Sequence, residues 1–163
     1  MNNQGMNLFI VDDNQLVLLQ LRIYLQNRFG TGINISTFSD GQSALKKIDK
    51  DTGIVILDYY LEGENGNQIL KSIKAINPKT EVIMHSSNED VAIAIESFRS
   101  GASDFVVKGN KSQKKLNSII LKILTYPIRI MVREFGISKY LAIFLMSFVT
   151  MGIVVACFIK YWH

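Results

Sequence analysis

Short apolar runs alternate with longer amphipathic segments over most of this chain. The runs are rich in β-branched residues, which is typical of strands buried on both faces of a parallel sheet. Between them, apolar residues recur every three or four positions, as they do on one face of a helix. The predicted strands are Leu8–Val11, Ile33–Phe38, Ile54–Leu57, Glu81–His85 and Asp104–Val107.

A helix is predicted after each strand, over about residues 14–29, 40–48, 66–76, 89–100 and 112–126. Residues 59–65 are expected to form a polar loop, and Pro127 is expected to interrupt the fifth helix because proline lacks the amide hydrogen. On the fourth helix an apolar stripe joins Val91, Ala94, Ile95 and Phe98. Strands and helices that alternate in this way predict an α/β domain with a parallel sheet and helices on both faces.

The last part of the chain has a different pattern. Residues 140–159 hold no charged side chain over twenty positions, and a helix needs about 20 apolar residues to cross the hydrocarbon core of a membrane. Lys139 precedes this stretch and Lys160, Tyr161 and Trp162 follow it, as residues at a membrane interface do. The alternative is a buried core helix, although core helices of this length usually have a polar stripe. We therefore predict a transmembrane helix at 140–159 and a short tail at 160–163.

The charges are distributed unevenly around this predicted span. Residues 1–124 carry 14 Lys and Arg against 13 Asp and Glu, which argues against a nucleic-acid partner for this part. The segment 125–139 is basic, and the positive-inside rule then places the main domain on the cytoplasmic side of the cell membrane. This juxtamembrane segment either lies on the lipid surface or continues as a helix into the membrane, and the sequence leaves both open.

Five polar residues stand at or just after the ends of four predicted strands. They are Asp12, Asp13, Asp58, Ser86 and Lys108. The carboxyl ends of parallel strands meet at one edge of a sheet, where open α/β proteins bind their ligands. Three carboxylates, a hydroxyl and an ammonium at one edge indicate a divalent cation beside a group that carries phosphate.

These residue types suit phosphoryl transfer to a carboxylate. Mg²⁺ prefers oxygen ligands and uses one or two protein carboxylates, while a carboxylate can also attack phosphorus and form an aspartyl phosphate. Lys108 can pair with one phosphoryl oxygen, and the hydroxyl of Ser86 can donate to another. Each residue alone also fits an ordinary role: Asp13 as a helix cap, which Asn14 could equally be, Ser86 as a turn residue and Lys108 as a surface lysine.

Together with Gly66, eight positions after Asp58, and the pair Gly101-Ala102 before the fifth strand, these residues resemble the receiver domain of two-component response regulators. The resemblance covers about residues 6–124, and we assign 1–124 to this domain. It implies a flavodoxin-like (βα)5 doubly wound parallel sheet with the strand order 2-1-3-4-5.

The resemblance also implies a role for each strand-end residue. Asp58 is the phosphoacceptor, and two residues contact the phosphoryl group, Ser86 and Lys108. Mg²⁺ is held by four residues, the last through its backbone carbonyl: Asp12, Asp13, Asp58 and Tyr60. The conformational switch consists of Ser86 and Phe105. His85 is expected to be a partly buried strand histidine with no part in metal binding or phosphotransfer.

The expected function is that of a phosphoacceptor in a two-component phosphorelay. A histidine kinase or a histidine phosphotransfer protein supplies the phosphate, and the chain promotes only its own phosphorylation and dephosphorylation. Beyond the fifth helix only the basic segment, the span and the tail remain, so output is expected through contact with an unknown protein at the membrane. Two alternatives stay open: a membrane-tethered scaffold that is not phosphorylated, and a phosphoaspartate hydrolase, which needs a second acidic residue where Tyr59 and Tyr60 stand.

Overall fold

The computed structural model describes residues 5–134 and 139–162, with the side chains of 5–126, 141, 143–155, 157–159 and 161. Two compact units, Met1–Ile119 and Ile120–His163, make up the chain. The strands are β1 Met6–Val11, β2 Ile33–Phe38, β3 Thr52–Asp58, β4 Tyr60–Leu61, β5 Glu64–Asn65, β6 Glu81–Ser86 and β7 Asp104–Val107. The helices are α1 Gln15–Phe29, α2 Gly41–Leu45, α3 Gly66–Ile76, α4 Val91–Arg99, α5 Ser112–Glu134 and α6 Lys139–Trp162.

Five of these strands form one parallel sheet in the order β2-β1-β3-β6-β7. The other two, β4 and β5, form a small antiparallel hairpin. When the hairpin strands are left out of the numbering, the order is the predicted 2-1-3-4-5. The structure therefore confirms the flavodoxin-like α/β fold, and β3 lies at the centre of the sheet as its fully apolar run Ile54–Leu57 requires.

The two faces of the sheet are covered by different helices. One face packs with α2, α3 and part of α4 in a core that includes Val55, Leu57, Ile69 and Met84. On α1 three leucines are buried, at the spacing of one helical face: Leu18, Leu21 and Leu25. The alternation of side chains along each strand thus supplies apolar residues to both faces, which is the pattern that the sequence predicts.

Two local predictions were wrong, and the apolar stripe predicted on α4 is largely exposed. Residues 59–65 contain the β4–β5 hairpin, whose turn uses Gly63 at a φ of 73°, a conformation that glycine adopts without strain. The helix α5 runs to Glu134 and is not interrupted at Pro127, since a helix that loses one backbone hydrogen bond at a proline can continue beyond it. The apolar stripe of α4 faces solvent at Val91, Ile95 and Phe98, which are 69%, 47% and 50% exposed.

Within the part of the chain that it describes, the structure contains no helix both long and apolar enough to cross a membrane. The span predicted at 140–159 therefore remains a prediction, as do the boundaries at 124, 139 and 159.

Gly66 positions α3 directly against the end of the central strand. Its amide donates a hydrogen bond to the carbonyl of Tyr59 at 3.0 Å. A Cβ at this position would lie 2.6 Å from the carbonyl oxygen of Asp58 and 2.7 Å from the Cα of Tyr59. Because both contacts are backbone atoms, only glycine allows α3 to begin this close to β3.

We predict that Gly66→Ala lowers the free energy of unfolding by about 1–3 kcal/mol, the usual cost of forcing an extra methyl group into packed structure. Urea denaturation of the full chain, followed by circular dichroism, measures this change. Gly32→Ala is the matched control, because no atom lies within 4 Å of a Cβ at that position. Equal unfolding midpoints for the two variants would contradict the role given to Gly66.

Candidate functional site

The ammonium of Lys108 joins the carboxyl ends of two neighbouring strands. Asp12 follows β1, Asp58 ends β3, and these strands are paired through Val11 and Leu57. The Nζ atom of Lys108 lies 2.8 Å from Oδ2 of Asp12 and 2.6 Å from Oδ2 of Asp58. The structure thus brings together three of the residues that the sequence predicts, from three separate segments of the chain.

Burial sets the electrostatics of this group. Asp12 and Asp58 are 1% and 3% exposed. Burial raises the pKa of Asp58 above its ordinary value, and the hydrogen bond and charge of Lys108 oppose this rise without overcoming it. Burial also acts to lower the pKa of Lys108, but the hydrogen bonds and charges of Asp12 and Asp58 outweigh it and raise that pKa. Lys108 therefore stays protonated between two carboxylates.

A third carboxylate, that of Asp13, completes the group at its exposed side. One oxygen from each of Asp12, Asp13 and Asp58 can be chosen so that all three lie within 4.8 Å of one another. Asp13 does not cap α1, because Oδ1 of Asn14 accepts from the amides of Leu16 and Val17. Oδ2 of Asp13 instead accepts from the amide of Glu62 at 3.2 Å, in the turn of the β4–β5 hairpin.

The three carboxylates fit a hard divalent cation. They share a single ammonium, so the cluster keeps an excess of negative charge, and the atoms that they offer to a metal are all oxygens. Mg²⁺ prefers such ligands and keeps several of its waters. Tyr60, the fourth predicted ligand, donates its amide to Oδ1 of Asp58 at 3.2 Å, while the role of its carbonyl stays a prediction.

Ser86 ends β6 and is fully buried. Its carbonyl accepts from the amide of Lys108 at 2.7 Å, which fixes the start of the loop that carries this lysine. Its Oγ accepts from the amide of Asn88 at 3.1 Å, a bond that leaves the hydroxyl hydrogen for another acceptor. Ser86 is therefore held at the same edge of the sheet as the carboxylates, although no hydrogen bond joins its described side chain to that of Asp58.

Asn88 and the phenol of Tyr60 are site residues that the sequence did not indicate. Nδ2 of Asn88 donates to the Tyr60 hydroxyl at 3.0 Å, so the segments that follow β3 and β6 touch beside the carboxylates. The only hint in the sequence is that an asparagine two residues after a strand favours a turn. Neither the partner nor the contact could be read from that pattern.

Two buried residues, Phe105 in β7 and His85 in β6, lie in strands that end at the site. Phe105 is 7% exposed and packs in the core with Met84, so it already points inward, and its role as a switch stays a prediction. His85 is 3% exposed and, among the described residues, neither imidazole nitrogen has a hydrogen-bond partner. Burial, with a smaller contribution from the charge of Lys108, lowers the pKa of His85 to about 4, so this side chain is neutral at pH 7.

Comparison with known proteins identifies similar chains. The transcriptional regulatory protein ZraR of Escherichia coli (strain K12) is 28% identical over 109 residues, which is 66% of this chain and 24% of ZraR. This chain thus spans about a quarter of the length of that curated relative.

Solved structures resemble the same region. The BeF3-activated receiver domain of DrrB, a Thermotoga maritima protein, is 27% identical, with a TM-score of 0.65 over 74% of this chain and 97% of that one. A chain of the CheX–CheY–BeF3–Mg complex from Borrelia burgdorferi is 26% identical, with a TM-score of 0.65 over 73% of this chain and 89% of that one.

The family model described as the response regulator receiver domain matches residues 8–120. This range begins within β1, extends beyond β7 and includes every residue of the carboxylate and lysine cluster. On this match the chain belongs to the response regulator receiver domain family.

Proposed function

We propose that this protein is a phosphoacceptor of a two-component phosphorelay, phosphorylated on Asp58 with the help of Mg²⁺. The observation that carries the proposal is the buried carboxylate of Asp58, held 2.6 Å from the ammonium of Lys108 and within reach of two further carboxylates. A family member used only as a scaffold has no need to bury this cluster, because burying charges costs free energy.

The reaction follows from these positions. An oxygen of Asp58 attacks the phosphorus of a phosphohistidine on a histidine kinase or phosphotransfer protein. The new P–O bond forms as the P–N bond breaks, and the imidazole leaves. Mg²⁺, when bound, supplies positive charge that offsets the charge of the phosphoryl oxygens. Lys108 pairs with one of these oxygens, and the hydroxyl of Ser86 donates to another. The chain catalyses no reaction other than its own phosphorylation and dephosphorylation.

We expect Asp58→Asn to abolish phosphorylation by acetyl phosphate and Mg²⁺, because an amide oxygen is a far weaker nucleophile than a carboxylate oxygen. Intact-mass spectrometry of the full chain detects the added phosphoryl group. Asp51→Asn, at an exposed aspartate near the start of β3, is the matched control and should be phosphorylated like the unaltered chain. Undiminished labelling of Asp58→Asn would remove Asp58 from its role, and absence of labelling in the unaltered chain would favour the scaffold alternative.

We also propose that Asp12, Asp13, Asp58 and the Tyr60 carbonyl bind the cation. Asp13→Asn should weaken Mg²⁺ binding by at least about tenfold, because changing even a residue that only supports a metal ligand usually costs about that much. Isothermal titration calorimetry of the full chain measures the affinity, and Asp51→Asn again serves as the control. An unchanged Mg²⁺ affinity in Asp13→Asn would show that the cation binds without this carboxylate.

The proposed site of action is the cytoplasmic face of the cell membrane, with output by contact between proteins. Support comes from the sequence of 140–159, which holds no charged side chain over twenty positions. The hydroxyls of Ser147 and Thr150 donate to the carbonyls of Phe144 and Ser147 at 2.7 Å and 2.9 Å, so these two groups need no water.

Charges placed within α6 test this part of the proposal. We expect the unaltered chain to stay with the membrane fraction after alkaline carbonate extraction, and Val149→Lys combined with Val154→Lys to be released, because a lysine near the bilayer centre costs about 2.5–3.5 kcal/mol. Tyr161→Lys, beyond the apolar stretch, is the control and should remain with the membrane. Release of the unaltered chain would overturn the membrane attachment and leave the phosphoacceptor proposal intact.

A further inference from the structure

The helix α4 packs on the domain with little burial of apolar side chains. Its one buried residue is a serine, Ser97, which has no exposed surface. The large apolar side chains of Val91, Ile95 and Phe98 face solvent, and only Ile93 and Ala94 pack, half-buried, against the core. Apolar burial therefore contributes less to holding α4 than it does for α1 or α3.

A buried polar contact compensates for this. The hydroxyl of Ser97 donates to Oδ1 of Asn67 at 3.0 Å. Asn67 lies in the first turn of α3 and is 2% exposed, and among the described residues its Nδ2 has no hydrogen-bond partner. A buried polar group that loses its partner is costly, so the bond favours the one placement of α4 that keeps Ser97 opposite Asn67.

Asn67 is also close to the backbone of the phosphoacceptor. The preceding residue, Gly66, donates its amide to the carbonyl of Tyr59 and packs against the carbonyl oxygen of Asp58 without room for a Cβ. Oδ1 of Asn65 accepts from the amide of Asn67 at 2.9 Å and fixes the start of α3. The path from Asp58 to Ser97 therefore runs through packed backbone and one side-chain hydrogen bond.

We infer that the Ser97–Asn67 hydrogen bond is a latch that sets the position of α4 and couples it to Asp58 through the first turn of α3. This route is separate from the predicted switch of Ser86 and Phe105, because it uses the residues that follow β3 rather than those that end β6 and begin β7. The coupling rests on the proposed phosphorylation of Asp58, whereas the latch itself acts in the unphosphorylated protein.

The test removes both partners at once. Asn67→Leu combined with Ser97→Ala replaces a bonded polar pair by apolar groups, a change that leaves no buried polar group unpaired. Hydrogen exchange of the full chain then reports the protection of the α4 amides, and protection of the β3 amides in the same sample shows whether the domain is folded. Ser97→Ala alone is the second variant. The control is Ser72→Ala, at a half-buried serine of α3 whose hydroxyl donates to the Gln68 carbonyl of the same helix.

We expect the α4 amides of unphosphorylated Ser97→Ala to exchange about five- to tenfold faster than those of the unaltered chain, because Oδ1 of Asn67 loses its buried partner. The double variant should exchange more slowly than Ser97→Ala, since it leaves no polar group unpaired, and Ser72→Ala should show no acceleration. Phosphorylation by acetyl phosphate should accelerate α4 exchange in the unaltered chain but add less than about twofold in the double variant.

Equal α4 protection in unphosphorylated Ser97→Ala and the unaltered chain would overturn the latch. An equal response of the double variant and the unaltered chain to phosphorylation would overturn the coupling. Intact mass is recorded for every sample, so a failure of Asp58 to accept phosphate would be seen directly as a failure of the proposed function, while the comparison of unphosphorylated proteins still decides for or against the latch.

Discussion

The contact between the ammonium of Lys108 and the carboxylates of Asp12 and Asp58 is the interaction on which the rest of the site depends. Two carboxylates that are almost fully buried repel each other and have lost their hydration, which costs several kcal/mol for each ion. One ammonium at 2.6 Å and 2.8 Å offsets part of this cost. With Asp13 nearby the cluster remains negative, and this residual charge is what favours a divalent cation.

The topology of the sheet makes this contact possible. The order β2-β1-β3-β6-β7 places the end of β1 beside the end of β3 and brings the end of β7 next to that of β6. The amide of Lys108 bonds to the carbonyl of Ser86, which fixes the lysine backbone beside the end of β6. The strand β6 therefore lies between this backbone and Asp58, and the long side chain of Lys108 spans that distance. A shorter cationic side chain at position 108 could not reach both carboxylates from this backbone position.

The strands and the cluster could be predicted because their signals are local. An apolar β-branched run followed by a polar residue shows both a buried strand and its carboxyl end, and parallel pairing then gathers the ends of β1, β3, β6 and β7 at one edge. The missed features depend on distant partners. The turn of the β4–β5 hairpin is held by Asp13, and the hydroxyl of Tyr60 is held by Asn88. Neither contact leaves a pattern in its own segment.

The orientation of α4 could not be predicted for a related reason. Periodicity identifies an apolar face but does not say that this face is turned inward, and in α4 the buried position belongs to Ser97, whose partner Asn67 lies thirty residues away in the chain. The consequence is a domain with one firmly packed helix, α3, against the central strand β3 and one loosely packed helix, α4.

A modification at Asp58 can move an element only if the interaction free energy differs between two of its positions. Because α4 buries little apolar surface, a small difference is enough to move it, whereas α3 is fixed by the contact of Gly66 with backbone atoms. The apolar side chains that α4 exposes are therefore carried by a helix that the core holds less firmly than α3, and under the proposed coupling their position depends on the state of Asp58.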